Sequence, residues 1–274
     1  MKSIKTKLII YFSAIIVTAC AVLGVLSVRK ASKALTAEAE DAIYSIAADA
    51  AELTESRVET ELKTLEMIAM DEDIQSMDWN KQQPLLQKEL EKTGFIDIAV
   101  VSPDGTARYS SGTSDQLGDT DYVIKAMQGT NNVSDLIVSR VTGDLVLMYA
   151  VPIKKNGNIV GALIGCRDGA AMSNVISDIK CGENGYAYMI NSTGDVVAHP
   201  DSEKMLNQWN PIKEAKNDES LKSVAAASEK MLNEKAGVST YSYLGNELYV
   251  AYDPVEGTDW ILAVTAEKDE VLSS

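Results

Sequence analysis

Apolar and polar positions along this chain fall into three regimes. Residues 8–28, LIIYFSAIIVTACAVLGVLSV, hold no charged side chain. At 1.5 Å per residue such a run extends ~32 Å as a helix, the depth of a bilayer's hydrocarbon core, whereas the apolar core of a cleavable signal peptide is about 7 to 15 residues. The pattern predicts a retained membrane anchor. From residue 31 to about 70 the spacing becomes three and four, through Ile43, Ile46, Ala50, Leu53, Leu62, Leu65 and then Ile68 or Ala69, without a Gly or Pro. This predicts one stalk helix of ~60 Å running on from the anchor. Acidic residues Asp71, Glu72, Asp73 and Asp78 loosen the pattern, and Pro84 is expected to open a helix over 85–92.

From Phe95 the period changes to that of strands. The run 98–101, the turn Ser102-Pro103-Asp104-Gly105 and residues 106–110 predict a hairpin. A short helix over 119–128 and a loop over 129–135 follow, then strands over 137–141, 145–153 and 159–166 and a helix over 170–179. The second half repeats this order. Residues 186–190, the turn Ser192-Thr193-Gly194-Asp195 and residues 196–199 reproduce the first hairpin, and 249–255 with 260–265 reproduce 147–153 with 159–165. Between them, 212–235 reads as mostly helical. The expected fold is therefore α+β, with two similar lobes, each an antiparallel sheet with helical inserts.

Charge orients the anchor. Lys2, Lys5 and Lys7 before it match Arg29, Lys30 and Lys33 after it, so the count of flanking basic residues is tied. Those six are the only ionic residues in the first 33; the remainder carries 19 basic against 40 acidic side chains. A domain so acidic is repelled by nucleic acid and by anionic lipid, so no nucleic-acid partner is expected. A short basic tail inside (1–7), a span (8–28) and a large acidic domain outside is the expected arrangement. Two other readings of the span stand beside it. A buried helix of a soluble protein would carry a polar stripe, and the polar side chains here are only Tyr11, Ser13, Thr18, Cys20 and Ser27. Val17-Thr18-Ala19-Cys20 resembles a lipobox, although the apolar run continues past Cys20 where a lipoprotein turns polar.

Enzyme chemistry finds little footing. One histidine, His199, and two cysteines beyond the span, Cys166 and Cys181, form no metal cluster and no disulfide framework. No serine sits in a GxSxG turn and no carboxylate pair stands apart, so neither catalysis nor a cofactor is expected.

The anchor, the long helix, VVSPDGTARYSS, VSRVTGDLVLMYAVPI, NGNIVGALIGCRDG, GYAYMINSTGDVVAHP and TDWILAVTAEKD together resemble the double Cache sensory domain of bacterial transmembrane receptors, most of all methyl-accepting chemotaxis proteins. The resemblance implies two PAS-like lobes stacked along the helix: a membrane-distal, ligand-binding lobe over 71–180 and a proximal lobe over 181–270. It also implies a second span soon after 266–268, with the output module beyond Ser274. The sensory region of a histidine kinase or diguanylate cyclase, and a lipid-anchored binding protein, are the alternatives.

In the family, an Arg and a Trp near the helix of the distal insert hold an amino acid's carboxylate, and an Asp on the last strand holds its amine. Here the Arg position falls at Thr120 or a neighbour, the Trp position at Tyr122, and Asp168 lies near the amine-binding Asp. A carboxylate would need Arg108, Arg140 or Arg167 instead. The resemblance thus nominates Tyr109, Ser111, Tyr122, Asp135, Arg140, Tyr149 and Asp168 as contacts for a small polar ligand, whether amino acid, amine or carboxylate. Asp168 serves equally as a cap for the 170–179 helix, whereas tyrosines at such positions are more often half-buried packing residues with a wet hydroxyl. The stripe on the long helix offers a surface for a homodimer.

Overall fold

The computed structural model describes residues 4–140 and 143–273, with side chains at 12–13, 16–140 and 143–271. A single helix, α1 (Ile4–Ala69), runs through the anchor and stalk without a break. Among the described residues no helix holds an apolar window long enough to cross a membrane; the side chains of 8–11 and 14–15, within the expected span, lie outside the description.

Burial divides α1. Residues 16–35 are exposed throughout, whereas Ile43, Ala47, Ala50, Ala51, Thr54, Val58, Leu65, Ile68 and Ala69 are buried. The expected stripe therefore splits: Ile43, Ala50, Leu65 and Ile68 face the lobes, while Ile46 is half-buried and Leu53 exposed one row further round. Small alanines at 47, 50 and 51 let the helix lie close against a sheet, and the buried Thr54 hydroxyl donates to Ala50 O at 2.8 Å, so no polar group is stranded there.

After α1, Asp71 caps α2 (Glu72–Gln75) and Asp78 caps α3 (Trp79–Leu90) by accepting from Asn80 N at 3.1 Å. The second helix begins before Pro84, not after it. The Asp78 cap starts it early, and Pro84 lies on the exposed face of its second turn, where it gives up one helical hydrogen bond.

The first sheet holds β1 (Asp97–Val101), β2 (Thr106–Tyr109), β3 (Ser114–Gln116), β4 (Asn132–Val133), β5 (Ile137–Val138), β6 (Leu145–Lys155) and β7 (Asn158–Asp168), in the order β3-β2-β1-β7-β6-β4 with β5 also on β6. The expected hairpin is β1–β2, closed at Gly105, whose φ of +84° suits glycine. Asn156 and Gly157, at φ 53° and 81°, make the tight turn between β6 and β7. Helix α4 (Asp121–Met127) covers this sheet, whereas α5 (Ala170–Ile176), which follows β7, packs against α1 and the second sheet. The second sheet, β8 (Ala187–Ile190), β9 (Val196–Ala198), β10 (Gly237–Tyr243), β11 (Asn246–Pro254) and β12 (Ile261–Glu267), is ordered β10-β11-β12-β8-β9. Its insert holds α6 (Ser202–Leu206), α7 (Pro211–Glu214) and α8 (Lys222–Glu234), and α9 (Lys268–Ser273) follows β12. The run β2-β1-β7-β6 matches β9-β8-β12-β11 strand for strand, so the repeat seen in the sequence is a repeat of topology.

One face of each sheet packs on α1. Leu147, Tyr149, Val151 and Ile153 from the first lobe join Tyr249, Ala251, Leu262 and Val264 from the second in one core along the helix. The opposite faces carry separate cores under each lobe's insert. Strand alternation thus sends odd-numbered side chains of β6 to the helix and Val146, Met148 and Ala150 to the far face. Along α1 the second lobe comes first: Tyr44 OH donates to Asp253 at 2.8 Å, whereas Glu61 meets Arg167 of the first lobe at 2.6 Å.

Candidate functional site

On the first lobe's far face, between the sheet, α4 and the segment 132–140, lies a cavity of about 530 Å³. That suits a small organic ligand. Tyr109 and Met148 form its sheet wall, Tyr122 of α4 its roof, and Asn132 and Ser134 a buried side; Asp119 and Arg140, both well exposed, stand at its rim. Register explains the wall. Tyr109 pairs with Ala99 and Asn132 with Ala150, so both share the parity that points away from α1. Asp259 and Trp260, from the turn between β11 and β12, close the cavity from the second lobe.

Four of the seven expected contacts line this cavity: Tyr109, Tyr122, Asp135 and Arg140. Three lie elsewhere. Ser111 is in the exposed turn after β2, its hydroxyl bonded to Thr113 Oγ1 at 3.1 Å. Tyr149 is one residue out of phase with the cavity wall; it faces α1 and meets Phe95 edge-on, ring centroids 6.1 Å apart. Asp168, exposed at the end of β7, accepts from Ala170 N at 2.8 Å, the capping role. Of the three arginines weighed for a carboxylate, only Arg140 is at the cavity. Arg108 is exposed on the other parity of β2, and Arg167 pairs with Glu61 and lies over the Phe95 ring at 4.7 Å.

The cavity's polar groups are partly committed. Arg140 bonds both Asp119 oxygens at 3.1 Å, which holds that carboxyl below the usual range, and Lys125 lies 3.9 Å from Asp259. Asp135 accepts from Trp260 Nε1 at 2.9 Å and from Asn191 Nδ2 at 3.1 Å, both in the second lobe. Burial pushes the Tyr109 and Tyr122 hydroxyls up, so they stay protonated and available as donors. Burial also pushes the nearby Cys166 thiol up to about 12, which leaves it an inert packing group, and both it and Cys181 are free thiols. Two acceptors, Asp115 Oδ2 and Asn132 Oδ1, are buried without a hydrogen-bond partner among the described residues. Asp115, Asn132, Asp259 and Trp260 escaped the sequence reading. Asp115 sits in a strand, SDQ, with no apolar residue to mark it, and nothing local places residues 259–260 beside residue 135.

The corresponding face of the second lobe is filled. Tyr186, Tyr188, Trp209, Tyr241 and Tyr243 pack around His199 and leave only about 20 Å³, about the room of one water. His199 accepts from Asp201 N at 2.8 Å through Nδ1, and burial lowers its pKa to about 4, so it is a neutral structural residue.

The Cache domain family (dCache_1) matches residues 31–274, and the chain belongs to that family. The methyl-accepting chemotaxis protein PctB of Pseudomonas aeruginosa is 23% identical over 197 residues, 69% of this chain and 29% of PctB. The chain thus spans under a third of that relative's length. Among solved structures, the ligand-binding domain of the Pseudomonas fluorescens chemoreceptor CtaA in complex with L-isoleucine has a TM-score of 0.70 at 17% identity, over 88% of this chain and 97% of that one. The ligand-binding domain of the amino acid chemoreceptor PctB in complex with L-Arg has a TM-score of 0.65 at 19% identity, over 86% and 97%. Both share this chain's fold.

Proposed function

We propose that this chain is the extracytoplasmic sensory region of a methyl-accepting chemotaxis receptor, which binds a small polar molecule in the first lobe and passes a conformational change across the membrane. The observation that carries the reading is the first-lobe cavity, roomy and polar where the second lobe's equivalent is packed shut. Tyr109, Tyr122, Asp135 and Arg140 contact the ligand, and the relatives' amino acid ligands make an amino-bearing molecule the leading class. Residues 8–28 cross the membrane. Supporting this, Phe12, Ile16, Val17, Val22, Leu23, Val25 and Leu26 are each at least 50% exposed on an unpartnered helix, apolar all round, which water does not favour. The order of contacts along α1, the second lobe nearer the N-terminus and the first farther along, supports a proximal second lobe and a distal first lobe.

A homodimer forms through α1. Leu35, Ala42, Ile46 and Leu53 make a sparse apolar row roughly 100° round from the buried stripe, left open by the chain's own lobes. A ligand moves the two helices only by its difference in affinity for their two positions, ~1 to 3 kcal/mol in typical cases.

Topology is tested by cysteine labelling. With Cys20, Cys166 and Cys181 replaced, Ser114→Cys on the exposed edge strand β3 should react with a membrane-impermeant maleimide in intact cells, and Ser3→Cys should not. Protection at 114 with labelling at 3 contradicts the arrangement.

A further inference from the structure

We propose that the second lobe's aromatic pocket is a binding site for an organic ammonium ion, and that Lys204 of the chain itself is its resident occupant. This goes beyond the sensory reading and does not depend on which molecule the first lobe takes. Lys204 Nζ lies 4.8 Å from the centroid of the Trp209 ring, 5.0 Å from that of Tyr243 and 3.4 Å from Tyr243 Oη. Arg167 and Lys268 each lie over a single ring, so among the described residues Lys204 is the cation held between two. No carboxylate lines the pocket. The ammonium is therefore received by ring faces and not by an opposite charge, which is how aromatic cages recognise organic cations.

The cage is fixed independently of the lysine side chain. Trp209 N donates to Lys204 O at 2.8 Å and Trp209 O accepts from Val196 N at 2.9 Å, which ties the tryptophan backbone to both α6 and β9. Tyr243 arrives from another element, the end of β10, where it pairs with Asn246 across the turn at Leu244 and Gly245. Deeper in, Tyr186 and Tyr188 flank His199, with ring centroids 5.2 and 6.1 Å away. Burial, and after it the Lys204 charge, lower the His199 pKa to about 4, so the imidazole is uncharged and does not repel the ammonium. The pocket holds the place in the second lobe that the open cavity holds in the first, on the sheet face turned away from α1. Lys204, Trp209 and Tyr243 are half-buried, so the mouth reaches the surface and the lysine head can leave for water on its flexible stem. Filled from within, the second lobe stays in a liganded state and leaves switching to the first.

Chemical rescue tests this. Lys204→Ala removes everything beyond Cβ, a fragment that n-propylammonium replaces. Thermal unfolding of the whole chain in lipid nanodiscs should fall by about 2 to 8 °C in Lys204→Ala, the loss of two cation–ring contacts. Adding n-propylammonium chloride should restore most of that loss relative to equal sodium chloride, while 1-propanol does not and the wild type, its cage already full, does not respond. The inference is overturned if Lys204→Ala unfolds at the wild-type temperature, if 1-propanol rescues as well as the ammonium, if neither rescues, or if the wild type gains as much as the variant. Should Lys204→Ala not fold, Lys204→Gln decides: it keeps a polar chain without the charge and should unfold below the wild type, and an unchanged unfolding temperature overturns the inference. None of these outcomes bears on ligand binding in the first lobe.

Discussion

Inserting Gly-Gly after Glu55 should unfold or severely destabilise the protein, while the same insertion after Lys33 should leave its stability and ligand affinity unchanged. Two extra residues turn a helix by about 200° and lengthen it by about 3 Å. After Glu55 this separates Ile43, Ala47 and Ala50, which pack with the second lobe, from Val58, Leu65 and Ile68, which pack with the first. One set must leave its sheet. Full burial of a Val, Leu or Ile side chain contributes about 1.5 to 3 kcal/mol, so losing Val58, Leu65 and Ile68 costs on the order of 5 kcal/mol or more, against typical total stabilities of about 5 to 15. Residues 31–35 are exposed, so nothing is displaced by the upstream insertion. In a full-length receptor that insertion should still weaken the coupling of binding to output, because it interrupts the continuous helix between the lobes and residues 8–28. Equal urea midpoints for the two insertion variants would show that α1 is a tether and not the shared core of both lobes.

Trp260→Ala should cost about 3 to 5 kcal/mol, the range for truncating a buried aromatic. The side chain is only 2% exposed, joins the core along α1 and closes the first-lobe cavity from the second lobe. Trp260→Phe separates packing from hydrogen bonding. It keeps most of the ring but strands Asp135 without its 2.9 Å donor, a loss of about 1.5 to 3 kcal/mol for a bond to a charged group. Asp135 then retains Asn191 alone in the second lobe and gains freedom to swing toward the cavity. The Phe variant should therefore change affinity for a first-lobe ligand by about tenfold with a smaller loss of thermal stability than the Ala variant. Affinity unchanged in both would mean that the inter-lobe contact is structural only.

The doubled fold was legible because its signals are local: hairpin turns at Gly105 and Gly194, an Asn156-Gly157 turn, and a stalk over 31–70 free of Gly and Pro. The cavity was legible only in part. Strand β6 is apolar on both faces, so its sequence LVLMYAVPI hides which side chains face the cavity, and Tyr149 was nominated where Met148 is the wall. Pairing fixes that parity, and pairing is non-local. Strands β3 and β4 have no apolar run to announce them, so Asp115 and Asn132 carried no signal at all. The Asp135–Trp260 bond joins residues 125 apart in sequence, beyond any pattern a window could read.

The central claim is that ligand binds in the first lobe. Hydrogen exchange on the whole chain, with and without saturating agmatine or L-arginine, whichever binds, tests it most directly. The account predicts slowed exchange in residues 114–126 and 132–140 and at the 258–260 turn, with little change across 186–211 and 237–243. Protection confined to the second lobe's aromatic pocket, with the first lobe unaffected, would contradict it.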